Sequence, residues 1–132
     1  VDLLPIEPIE GVEIIQGHFT DQQVRQQIND MLDNKTIELV LSEMAPNISG
    51  IVSAEKARSI GQAEDVLDWS CSILALDGGL LMKVFQGSGF DQLRKELLAN
   101  FRSVAVRKPD ASRSRSSEVY LLARGFKGIE AN

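Results

Sequence analysis

Thr36-Ile37-Glu38-Leu39-Val40-Leu41-Ser42 and Gly79-Leu80-Leu81-Met82-Lys83-Val84-Phe85 decide the fold. Each is a short, mostly apolar run with β-branched and aromatic residues, the pattern of a strand buried in a sheet. Between them, Ser53 is read as the cap of a long helix that reaches about Leu76 and is stopped by Asp77-Gly78-Gly79. Strand, long helix and strand in succession indicate a parallel crossover and an α/β sheet.

The pattern continues outward in both directions. Upstream, Thr20 is read as the cap of a helix from Asp21 to about Asp33, with Val24, Ile28, Met31 and Leu32 on one face. Before it, Val12-Glu13-Ile14-Ile15 is a short strand candidate ending at Gln16-Gly17. Downstream, Asp91 to Phe101 is expected to be a helix with Leu93, Leu97 and Leu98 inward. Val104 to Lys108 and Val119 to Arg124 read as strands. No helix separates these last two, so they are expected to form an antiparallel pair at one edge of a mostly parallel sheet. No repeat and no linker divides the sequence, so residues 1–132 are expected to belong to one domain. Asp2-Leu3-Leu4-Pro5 reads as the end of a strand and its exit loop, which makes that domain an incomplete, N-terminally truncated one.

Composition narrows the function classes. The 132 residues are 43% hydrophobic, 25% charged and 5% aromatic, an ordinary globular balance. Collagen-like, mucin-like and disordered classes are excluded. No apolar run approaches the roughly 18 residues of a membrane span, and Val1 to Pro5 does not read as a signal peptide. A single cysteine, Cys71, excludes an internal disulfide framework and fits a reducing, cytoplasmic setting. One histidine and one cysteine supply no ligand set for a structural zinc site, and no metal is expected.

The charge is lopsided. The net is −5, yet residues 1–68 hold 13 acidic and 4 basic side chains, while residues 69–132 hold 6 acidic and 10 basic. An acidic total argues against indiscriminate coating of nucleic acid, whereas a local basic surface permits phosphate contacts at one face.

Four stretches concentrate chemistry: Asp2 to Pro5, Ser42 to Asn47, Lys83 to Gly87, and Arg107 to Tyr120. Each ends or adjoins a predicted strand, and the first three lie at carboxyl ends, where open α/β sheets bind ligands. Lys83 interrupts an apolar strand, where a charge is costly unless it is paired or used. The plainer alternative is a lysine whose stem snorkels to the sheet's end. Glu43 has the alternative of a loop acid or cap, and Glu118 that of a surface ion pair with Arg113 or Arg115. Taken together, Glu43, Lys83 and Glu118 are expected to converge at one sheet edge. An ammonium between two carboxylates can position a hydroxyl and stabilise developing oxyanion charge. Taking that hydroxyl's proton would require it first to lose its own.

At these residues the sequence resembles the FtsJ-type ribosomal RNA 2′-O-ribose methyltransferases, which act on a uridine of the large-subunit RNA. The resemblance runs from Asp2 to about Gly128, and its most specific parts are Ser42–Asn47, Lys83–Gly87 and Arg107–Tyr120. It implies a Rossmann-like fold that binds S-adenosylmethionine. Of the family's lysine, aspartate, lysine, glutamate tetrad, it places the aspartate at Glu43, the second lysine at Lys83 and the glutamate at Glu118. The first lysine and the glycine-rich cofactor loop would fall upstream of Val1. The resemblance also implies that Asp2, His18 and Glu43 hold the cofactor, and that Arg107, Lys108, Arg113 and Arg115 contact RNA phosphates.

Two departures stand out. Glu43 replaces the family's aspartate and carries its carboxylate about 1.5 Å farther out. His18 stands where an aspartate is usual on the adenine side, and can accept a hydrogen bond or stack. A degenerate, non-catalytic RNA-binding module and a nicotinamide-dependent Rossmann-like enzyme stand as the alternatives. Gly87-Ser88-Gly89 lacks the spacing of a phosphate loop and reads as a turn. Trp69 and Cys71 read as packing residues.

Overall fold

The computed structural model describes residues 1, 5–33, 35–43, 52–87, 89–108 and 118–128, with residues 52–59 described by their backbone alone. The chain divides into two compact units, Val1–Thr36 and Ile37–Asn132.

Among the described residues, the first unit holds one helix, α1 (Gln22–Leu32). Its cap is Asp21 rather than Thr20: the Asp21 carboxylate accepts the Gln23 N–H at 2.8 Å. The hydroxyl of Thr20 is engaged instead with His18 Nδ1, at 2.6 Å. The helix ends at Asp33, whose left-handed backbone (φ 50°) donates its N–H to Asn29. Val24 and Ile28 are buried as expected, with Ile15 and Phe19. Met31 is not, because it lies in the last turn, where it borders a shallow concavity with Ile14, Ile15 and Gln27. No strand forms at Val12–Ile15: the backbone turns at Gly11 (φ 80°), and Val12 is exposed. A run this short has no ladder to hold it.

The second unit is a four-stranded sheet with two helices. In chain order it runs β1 (Ile37–Ser42), α2 (Val52–Ile73), β2 (Leu74–Phe85), α3 (Phe90–Asn100), β3 (Phe101–Arg107) and β4 (Glu118–Phe126). The strand order is β1-β2-β4-β3. β1 and β2 are parallel, and β4 runs antiparallel to both its neighbours. Three of the four strands therefore share a direction. The β3–β4 pair sits at one edge, as the missing helix between them foretold.

Two boundaries differ from expectation. Ser53 lies inside α2 and does not cap it. At the other end, α2 stops at Ile73, three residues before Leu76. There Ser72 Oγ donates back to the Trp69 carbonyl at 2.6 Å, competing with the helical ladder, and Leu74 already pairs with Ile37. Asp77-Gly78-Gly79 is thus a bulge within β2, with Asp77 at φ 66°.

Alternation along the strands sorts their two faces. Leu80, Met82 and Val84 of β2 and Val119, Leu121 and Ala123 of β4 are all at most 2% exposed. They pack beneath α2 and α3, which present Val66 and Leu67, and Phe90, Leu93 and Leu97. Leu98, one step round α3 from Leu97, falls outside that stripe and is exposed. Phe101 and Phe126, register partners, close the far end with ring centroids 5.4 Å apart. The opposite face carries Leu41, Leu81, Lys83, Glu118, Tyr120 and Arg107, and it bears the candidate site.

Candidate active site

β-Sheet register places the site. Lys83 on β2 lies opposite Tyr120 on β4, and Tyr120 lies opposite Arg107 on β3. Paired residues project from the same face, so these three side chains form a row across the sheet. Glu118 sits two residues before Tyr120, on the same face. Glu43 follows directly on β1, where the chain leaves the carboxyl end of that strand.

The three residues expected to converge do so. Lys83 Nζ lies 3.4 Å from Glu43 Oε1 and 3.7 Å from Glu118 Oε2. Its side chain is 23% exposed, against 64% for Glu43 and 38% for Glu118. The lysine stem does run along the sheet, but its ammonium ends between two carboxylates rather than in bulk solvent. This satisfies the charge that an apolar strand would otherwise strand.

A fourth residue joins them. Tyr120 donates its hydroxyl to Glu43 Oε1 at 2.8 Å. This bond, then the charge of Lys83, holds the Glu43 carboxyl below its ordinary pKa of 4.5. The same bond pushes the Tyr120 phenol above its ordinary 10.0. In the sequence Tyr120 stands out only as the end of the Arg107–Tyr120 stretch. The available signal was the two-residue period from Glu118, which puts both side chains on one face.

Two of these groups, Glu43 and Tyr120, border a concavity of about 470 Å³, which Leu41, Ser42, Leu81, Arg107 and Lys108 also line. One wall is aliphatic, one is acidic and one is basic. Arg107 and Lys108 are both exposed and reach this space. Arg113 and Arg115 lie outside the described residues, as does Asp2. His18 belongs to the first unit and is exposed. Its Nδ1 accepts the Thr20 N–H at 3.2 Å, which commits that nitrogen to its own loop and leaves Nε2 to carry the proton of the neutral ring. Glu43 is an anion facing an open space beside aliphatic Leu41 and Leu81, a donor set that fits a cationic ligand with apolar parts, S-adenosylmethionine among them.

A model of the FtsJ-like methyltransferases matches residues 1–126. The chain belongs to the FtsJ-like methyltransferase family. Among its relatives, ribosomal RNA large subunit methyltransferase E of Marinobacter nauticus is 48% identical over 126 residues, 96% of this chain and 61% of that protein. The protein of the same name from Thiobacillus denitrificans is 48% identical over 124 residues, covering 94% and 56%. The chain thus spans about three fifths of the length of these relatives. A crystal structure of a ribosomal RNA methyltransferase from Plasmodium falciparum superposes with a TM-score of 0.84 at 23% identity, covering 96% of this chain and 70% of that one. That likeness concerns the fold, and it agrees with the mixed α/β architecture described above.

Proposed function

We propose that this protein transfers a methyl group from S-adenosylmethionine to the ribose 2′-oxygen of a uridine in large-subunit ribosomal RNA, in the cytoplasm. The observation that carries the proposal is the Lys83 ammonium held between Glu43 and Glu118, with Glu43 itself lining the concavity. Membership of the family and the names of its relatives support the same reading.

In this mechanism the Lys83 N–H groups donate to the ribose oxygen. They orient its lone pair and stabilise the negative charge that grows as the O–H bond breaks and its proton passes to solvent water. Glu43 and Glu118 fix the position of the ammonium. When bound, S-adenosylmethionine supplies the methyl electrophile. Glu43 would hold it, and transfer requires no covalent bond to the enzyme. Arg107 and Lys108, extended by Arg113 and Arg115, would grip the phosphates beside the target nucleotide. That grip converts a bimolecular encounter into an aligned one.

The test is methyl incorporation into large-subunit RNA by wild type and Lys83→Ala. The variant should lose at least about a hundredfold in kcat, the effect of removing one preorganised oxyanion donor, while RNA binding persists. Equal incorporation by the two proteins would refute the role of Lys83. RNA binding with no methyl transfer by wild type would favour the non-catalytic alternative.

A further inference from the structure

An exposed glutamate has three rotatable bonds and no reason to choose one rotamer. Glu43 is 64% exposed and follows the end of a strand, yet its carboxylate is held from two sides. Both described partners address the same oxygen: Tyr120 at 2.8 Å and Lys83 at 3.4 Å meet Oε1. Oε2 is thereby left to groups other than these two. The shorter contact is the one to tyrosine, and it joins β4 to the end of β1 across β2, spanning 77 residues of sequence. Tyr120 is itself anchored in the sheet by register with Lys83 and Arg107. A rigid aromatic on a central strand is a better fixed point than the flexible acid it contacts.

We infer that Tyr120 is a positioning residue: its hydroxyl clamps Glu43 Oε1 against the Lys83 ammonium and so fixes where Oε2 points into the concavity. The inference rests on the methyl-transfer reading for its consequence, though not for the contact itself. Lys83 would otherwise be held between one anchored and one wandering carboxylate. The clamp acts through Glu43, so it should govern the rate of transfer more than the hold on RNA.

Tyrosine occurs once in the sequence, which makes a direct measurement possible. Phenolate absorbance is followed against pH in the intact protein, with the Tyr120→Phe spectrum subtracted. The phenol should ionise above its ordinary value in wild type and fall back when Glu43→Ala is introduced. In methyl transfer, Tyr120→Phe should lower kcat about tenfold, the scale of one hydrogen bond to a charged group, with KM for RNA within about twofold. Added to Glu43→Ala, it should cost nothing further. A phenol that ionises alike with and without Glu43 would overturn the clamp. So would losses from the two substitutions that multiply. A wild type unable to methylate RNA, whose phenol still responds to Glu43→Ala, would overturn the functional reading and leave the clamp standing.

Discussion

Glu43 and Tyr120 titrate in opposite directions for one reason, their shared hydrogen bond. Folding favours the ionised carboxyl, so that contribution to stability is present above the ordinary 4.5 and is lost as pH falls through the lowered native value. Folding also favours the neutral phenol, so that contribution is present below 10.0 and is lost as pH rises through the raised native value. The denaturant midpoints of wild type and Tyr120→Phe should therefore differ most near neutrality and converge at both extremes. A constant difference across the whole range would mean that the bond does not form. Burial also pushes the Cys71 thiol up, with Asp68 adding to it, so Cys71 is a poor nucleophile, in keeping with a packing role. At this scale Lys83 is legible in the sequence because a charge inside an apolar strand violates the pattern, and Glu43 and Glu118 because each stands at the end of a strand beside it. Tyr120 violated no pattern, since tyrosine is at home in a strand, and its role appears only once register sets it opposite Lys83.

Between elements, backbone approaches backbone closely at the bulge where β1 meets the start of β2. A Cβ on Gly78 would stand 2.8 Å from the Ala75 carbonyl oxygen and 3.0 Å from that of Glu38. Both obstacles are backbone, one within the bulge of β2 and one on β1, so the bulge itself would have to shift. Gly78→Ala should lower unfolding free energy by about 2 kcal/mol, within the range for local strain. Gly61, inside α2 with nothing near its missing Cβ, is the matched opposite. There Gly→Ala should raise stability by about 0.5–1 kcal/mol through helix propensity and a less entropic unfolded chain. Chemical denaturation of the two variants, with wild type alongside, checks both signs. The bulge also explains why the end of α2 was misplaced in the sequence. Leu74-Ala75-Leu76 is as acceptable to a helix as to a strand, and Asp77-Gly78-Gly79 can end a helix or bulge a strand. Only pairing with Ile37 decides between them. By contrast, β3 and β4 could be anticipated as an antiparallel pair, because a helix absent from the sequence cannot be supplied by packing.

At the scale of the whole molecule, an acidic protein must approach a polyanion by one face. The net charge is −5, and the basic residues Arg107 and Lys108 stand beside the Lys83 cluster, on the concavity itself. Under the proposed function, repulsion from the acidic remainder would disfavour other orientations, so charge distribution would orient the RNA as well as attract it. Under the proposed function, affinity for large-subunit RNA should fall as salt rises, because each phosphate contact releases a counterion. Replacing both Arg107 and Lys108 by alanine should reduce the slope of log affinity against log salt by about 1.4–1.8, the release expected for two phosphates. The loss should be similar for RNA of unrelated sequence, since phosphate contacts carry no base readout. Replacing Arg94 and Lys95, exposed on helix α3, should leave the slope within error. Binding measured over a salt series decides the matter. A slope equally reduced by both double variants would mean that RNA senses only total charge, and the concavity would then have no claim to be the face on which RNA docks.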